Sequence, residues 1–326
     1  MRRLHAIALA CAAGLAAGCG ADFEDPSIVI DLRMLGATVD PPEVLVPIDA
    51  DPDTFPVPDF EICALVADPA ASRGLAFEMA ACAPTGSLRC DNFGEPVLQF
   101  SSGAVEDPEE AEAPVQMCGT LRGSPVLVEI LQLSIEEDPL QGFSRVAVQI
   151  EMFVKPSGGS DDDGIFGAKA VLFGAQLPAE RTANTNPSVD GVLLGTDPDA
   201  DPDVPVTLRK CAATDAVPIA VAPGDEIALL PVETDGTRED YVLPTFDGGS
   251  REFTENMTYA WFATDGSWSS ENTGGPKDAF GNVPQLDSSW TAPDDIDTPT
   301  NIDMWLVQRD ERGGLAWYEM CVRVEP

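Results

Sequence analysis

Proline and glycine interrupt this chain too often for long helices to fit. Its 326 residues carry 29 prolines and 28 glycines, and a proline inside a helix removes a hydrogen bond and clashes with the preceding turn. Between the breaks lie short apolar runs of period two, the spacing of strands with one buried face. Val146, Val148, Ile150, Met152 and Val154 alternate most cleanly. Ile28–Leu35, Phe60–Val66, Leu75–Cys82, Ala168–Leu177, Glu226–Val232, Thr258–Thr264, Ile302–Gln308 and Leu315–Val324 read the same way. Val126–Glu137 suits a short helix as well as a strand, because Val126, Ile130 and Leu133 fit both periods. Short strands, frequent turns and no sustained helical period predict an all-β chain built of β-sandwiches.

Two domains fit the length. Ser157–Gly164 reads as a long hairpin loop that folds Ala168–Leu177 back onto Val146–Val154. The stretch from Gly195 to Asp203 joins proline to like charge and should stay extended. The expected division is a leader at 1–18, a tether at 19–27, a first sandwich at 28–195, an acidic linker at 196–204 and a second sandwich at 205–326.

The leader opens with Arg2 and Arg3, continues as a Leu, Ile, Ala and Gly run from Leu4 to Gly18, and ends in Leu15-Ala16-Ala17-Gly18-Cys19. A run this short does not span a bilayer stably and reads as a cleaved export signal. It resembles a bacterial lipoprotein signal peptide with its lipobox, although Ala16 stands where Leu is commonest. The resemblance implies cleavage before Cys19 and acylation of Cys19 on sulfur and amino terminus. Gly20, in place of an Asp that would favour inner-membrane retention, implies the outer membrane. Several acyl chains make a firm anchor, where a single one holds only marginally.

Charge narrows the partners. Losing Arg2 and Arg3 leaves 16 basic against 56 acidic side chains, which argues against nucleic acid and anionic lipid. Membrane contact is therefore expected through the acyl chains alone, with a protein or glycan partner not specified by the sequence. The one histidine, His5, would leave with the leader. A mature chain without histidine has no Ser-His-Asp or Cys-His nucleophile and no His-ligated zinc. The expectation is a non-enzymatic protein without a cofactor. A carboxylate pair of the glycosidase kind stays chemically open.

Beyond Cys11 and Cys19, six cysteines remain, an even number in an exported chain, and so predict disulfides. Cys211 and Cys321 share the second module and should bond to each other. Cys63, Cys82, Cys90 and Cys118 permit three pairings, of which Cys82–Cys90 is favoured by the tight turn between them, leaving Cys63–Cys118. Asp197, Asp199, Asp201 and Asp203 alternate as hard ligands for Ca²⁺ would, yet Pro198 and Pro202 stiffen the backbone against wrapping an ion. Among the tryptophans, Trp261 is the expected core residue, and Trp305 and Trp317 are expected to pack across the sheet or between modules. Trp268 and Trp290, read as loop residues, are the candidates for ligand contact.

At Tyr259–Gly266 and Trp305–Asp310 the chain resembles immunoglobulin-like modules of the polycystic-kidney-disease type, which carry a Tyr-x-Trp strand running into an Asp-Gly turn and a late Val-x-Asp hairpin. As a whole it is similar to two-module lipoproteins of Gram-negative bacteria. The resemblance implies two immunoglobulin-like sandwiches displayed at the cell envelope for binding or adhesion. The alternative is a carbohydrate-active protein, either a carboxylate-dependent glycan hydrolase or its sugar-binding accessory subunit.

Overall fold

A computed structural model describes residues 25–49, 55–69, 73–84, 86–87, 89–91, 94–107, 115–140, 145–196 and 201–326. The leader, Cys19, most of the tether, Asp197 and Asp199 lie outside these residues. The first module runs through β1 (Arg33–Asp40), β2 (Glu43–Val46), β3 (Phe60–Ala67), β4 (Leu75–Cys82), β5 (Leu98–Val105), β6 (Gln116–Leu121), α1 (Pro125–Glu137), β7 (Val146–Pro156) and β8 (Ile165–Ala175). One sheet has the order β1-β3-β6 and the other β2-β8-β7-β4-β5. Pro41 and Pro42 end β1, and the chain then changes sheets, so that β2 pairs in parallel with β8.

The second module repeats this plan. Its strands are β9 (Val189–Gly195), β10 (Val204–Pro205), β11 (Ile219–Val221), β12 (Glu226–Glu233), β13 (Asp240–Pro244), β14 (Ser250–Thr254), β15 (Met257–Ala263), β16 (Ser267–Trp268), β17 (Asn272–Gly274), β18 (Ser288–Thr291), β19 (Thr300–Asp310) and β20 (Leu315–Val324). One sheet has the order β10-β9-β12-β18-β16 and the other β11-β20-β19-β15-β17, with β11 parallel to β20. In both modules the first strand pairs with the second long strand, then a short strand crosses over to run parallel with the last. That is an immunoglobulin-like order. Helix α1 before β7 and hairpin β13–β14 before β15 are the additions.

Local sequence explains each departure from strand. Ser124 caps α1, its Oγ accepting from the Leu127 amide at 3.2 Å, and Pro125 opens the first turn, where its missing N–H costs nothing. Leu127, Ile130 and Ser134 face the core, so the segment left open by its pattern is a helix. The 157–164 segment is a hairpin loop as expected, with one 3-10 turn at Asp161–Asp163.

The expected linker is corrected. β9 pairs with β12 over Val189–Gly195, and β10 pairs back onto β9. The acidic, proline-containing stretch therefore lies between two antiparallel strands of the second module and does not divide the modules. The crossing between modules falls earlier, between Ala175 and Val189. Proline with like charge marks a solvated loop as well as a linker, and nothing in that composition separates the two.

Among the described residues, three apolar clusters hold the body together. The first core includes Phe60, Ile62, Val66, Leu75, Met79, Val148, Ile150 and Phe173. The second includes Tyr259, Trp261, Trp290, Met304, Leu306, Met320 and Val322. The third joins the modules: Val29, Leu35, Leu65 and Ala67 meet Ala260, Trp305, Val307 and Leu315, with Phe262 and Trp317 at its margin. The outer face of β1-β3-β6 thus packs on the outer face of β15-β19-β20. Strands covered on both sides read as near-continuous apolar runs, which is why β3 is apolar without a break from Ile62 to Ala67 and β20 is interrupted only by Glu319 and Arg323 among its larger apolar residues.

Three disulfides form among the described residues and join the expected partners, Cys63–Cys118, Cys82–Cys90 and Cys211–Cys321. The last closes 110 residues and is worth roughly 4–5 kcal/mol on the chain-entropy account. Removing Trp305, which is 5 % exposed at the joint, should cost about 3–5 kcal/mol. Because the joint couples the modules, we expect one calorimetric unfolding transition in the wild type and two resolved transitions in Trp305→Ala.

Candidate functional site

Two regions concentrate chemistry. The first is polar and lies in the joint, at the end where β1 gives way to β2. The hairpin Arg309–Gly314 between β19 and β20 reaches into it. Gly313 takes φ 106°, and a side-chain carbon at Gly314 would collide with the Asp310 carboxylate, so the turn needs both glycines. Asp310 Oδ1 accepts from the amides of Arg312 and Gly314, each at 2.8 Å, which fixes the loop and aims Arg312 inward.

Arg312 then donates to Glu43 of β2 at 2.8 Å, to the Thr182 carbonyl at 2.9 Å, to Glu239 at 3.2 Å and to Glu255 at 3.4 Å. Its guanidinium lies 4.8 Å from the Tyr241 ring centroid. Glu43 also accepts from Arg181 at 2.6 Å and from the Asn184 amide at 2.9 Å, and Asn184 Nδ2 donates to Asp310 at 3.1 Å. Glu43, Arg181, Glu255 and Arg312 are all buried. A buried pair stripped of one partner leaves an uncompensated charge, so this is a lock between modules. Four carboxylates face two guanidinium groups here, and Glu255 shows the imbalance. Burial first, then the charges of Asp310 and Glu239, push its carboxyl up to about 7 against the pull of Arg312 and the Glu239 amide. Burial pushes nearby Lys169 down to about 8, with its ammonium donating to the Gly313 carbonyl at 2.7 Å.

The opposite end of the joint holds a second buried polar group. Glu319 accepts from the Trp305 indole at 3.0 Å, Asp303 accepts from the Cys211 amide at 2.8 Å, and Asp68 accepts from Arg73 at 3.1 Å. Lys210 is buried among them, around a space of about 20 Å³, enough for one water. Burial raises the carboxyls of Asp68 and Asp303, and raises Glu319 to about 7 against the Trp305 hydrogen bond and the Lys210 charge.

The other region is an apolar groove of about 440 Å³ beside α1 in the first module. Val46, Ile48, Phe55, Leu131, Ile135 and Phe173 line it, with Gln132 the polar side chain at its edge. Ile48 is 68 % exposed. Sequence reasoning missed this groove, although the apolar character of Val126–Ile135 on nearly all its faces was the available signal.

The sequence-derived ligand residues are placed differently. Trp290 is fully buried, its indole donating to the Asp265 carbonyl at 3.0 Å. Trp268 packs against the second core with its ring 5.2 Å from that of Trp261. Both belong to paired strands, Trp268 opposite Trp290, which corrects their reading as loop residues open to ligand. Trp261 is in the core, and Trp305 and Trp317 are at the joint. Asp201 and Asp203 are exposed beside a loop whose other acids lie outside the described residues. Among the described residues Glu61, Cys63 and Cys118 come close enough to suggest a metal, but the two cysteines are bonded to each other and offer no thiolate.

No family model and no curated protein matches the chain. Among solved structures, a red sea bream transglutaminase aligns at 8 % identity and TM-score 0.22, over 91 % of this chain and 32 % of that one. The C-terminal domain of the Streptococcus agalactiae AgI/II polypeptide BspA aligns at 9 % identity and TM-score 0.22, over 86 % and 95 %. The C-terminal domain of the Streptococcus pyogenes antigen I/II-family protein AspA aligns at 10 % and 0.21, over 91 % and 99 %. The chain thus spans about a third of the transglutaminase's length. Scores at this level carry nothing about fold or activity, and the architecture rests on the strand order itself.

The raised carboxyls give the joint a definite pH dependence. Folded Glu255 and Glu319 keep their protons up to about 7, whereas in the unfolded chain they lose them near 4.5. Over that interval the folded state binds more protons, so their contribution to stability falls as pH rises. Measured by urea unfolding between pH 5 and 8, Glu255→Gln with Glu319→Gln should flatten the wild-type decline.

Proposed function

We propose that this chain is a lipid-anchored, non-enzymatic protein of the outer membrane that displays a rigid pair of immunoglobulin-like modules for binding or adhesion. The observation that carries the reading is the joint. Sheet faces, tryptophans and ionic groups that another protein would expose to a ligand are here directed at the neighbouring module. What the body offers outward is loops, an acidic surface and the groove beside α1. Display suits such a body, because a rigid pair of modules loses little freedom when a partner binds.

The anchor rests on Arg2, Arg3, the apolar run and Cys19. Three disulfides in the described residues support an oxidising compartment. The carbohydrate-active alternative loses its aromatic platform with the burial of Trp290 and the packing of Trp268. In cells fed radiolabelled palmitate, the wild type should carry label and sediment with membranes. Cys19→Ser should lose both, and a Cys19→Ser protein that keeps its label overturns the reading.

A further inference from the structure

The residues just before β1 form a strap across the two modules. Ile28 makes a parallel bridge to Ala263 at the end of β15. The Val29 amide donates to the Ala263 carbonyl at 2.8 Å, and the Ala263 amide donates to the Ser27 carbonyl at 3.0 Å. Ser27 and Val29 are 1 % and 0 % exposed. Asp25 Oδ1 accepts from the Ser27 amide and hydroxyl at 2.9 and 2.6 Å. Arg33 reaches back to the Pro26 carbonyl at 2.6 Å and the Ile28 carbonyl at 3.3 Å. The chain is thus bonded to the second module at Ser27 and Val29, and a turn that begins at Asp25 leads into these bonds.

Strand registers show which end of the body the strap occupies. Arg33 lies opposite Ala67, Leu75 opposite Val105 and Pro156, Ala263 opposite Met304, and Thr300 opposite Val324. The loops around Asp68, Asp107, Asp265 and Asp297 therefore share the strap's end. Asp40 opposite Glu61, Phe60 opposite Leu121, and Val46 opposite Ala175 mark the other end. The groove beside α1 is there. β19 runs between the two ends over 11 residues, roughly 30 Å. Cys19 precedes Asp25 by six positions, which can span at most about 20 Å.

We infer that the strap holds its own end of the double sandwich against the bilayer surface and turns the groove end away from it. This rests on the acylation of Cys19 proposed above. What it adds is an orientation: the tether is shorter than the body, and its exit point is pinned by backbone hydrogen bonds to the second module. Asp25, Asp31, Asp265 and Asp297 are exposed at the anchored end, so that end rests on the headgroup layer without inserting into it. The partner it fits is a zwitterionic lipid surface.

The test uses the acylated protein in phosphatidylcholine vesicles carrying a headgroup nitroxide, with a fluorophore at Asp297→Cys or at Arg122→Cys, both exposed positions. Quenching should be severalfold stronger at 297 than at 122. Equal quenching, or stronger quenching at 122, overturns the orientation while leaving the anchor intact. Failure of the labelled protein to float with the vesicles overturns the anchor and the orientation together. Val29→Asp, checked for its three disulfides, should bring the two labels toward equal quenching, and an unchanged difference in that variant removes the strap from the account. If that variant does not fold, the comparison of the two labels on the intact strap decides alone.

Discussion

The contact between the β1-β3-β6 face and the β15-β19-β20 face decides most of what this molecule is. Each sheet already covers its own module's core with one side. Burying the second side turns two sandwiches into a four-layered body and removes Leu35, Leu65, Trp305 and Val307 from water. Burial of apolar surface, at roughly 25 cal/mol per Å², is the attraction that holds the two faces together. The independence usual for modules on one chain is given up here for a fixed arrangement.

The polar groups at the two ends of the joint act differently from the apolar middle. Buried ions rarely add net stability over apolar groups of the same shape, but they admit few geometries. Arg312 needs Glu43, Glu239, Glu255 and the Thr182 carbonyl together. A slip of one residue between the faces would leave its charge unpaired in a dry site. The apolar cluster supplies attraction between the modules, and the ionic lock selects the register.

Much of the fold was legible because it is local. The alternation of Val146–Val154, the hairpin loop at 157–164 and the nearness of Cys82 to Cys90 each depend on a few neighbouring residues. Harder features are those whose cause lies far along the chain. The unbroken apolar character of Ile62–Ala67 could have signalled two covered faces, yet nothing in that run names β19 and β20 as the cover. Arg309–Gly314 was readable as a hairpin, and in a hairpin tip Asp310 and Arg312 look solvated. Arg312's partner Glu43 is 269 positions away, beyond any periodicity. Trp268 and Trp290 were misplaced because strands β16 and β18 are too short, at two and four residues, to show an alternation.

The separation between Glu43 and Arg312 also bears on how such a chain comes to be made. A polypeptide that emerges amino end first presents Leu35, Leu65 and Ala67 early, while Leu315 and the hairpin that carries Arg312 emerge last. Until that hairpin arrives, the completed first sandwich shows its surroundings a bare greasy flank. Biogenesis therefore contains a vulnerable interval set by how fast the remaining chain emerges, and a holdase that shields flat β surfaces would be most useful during it.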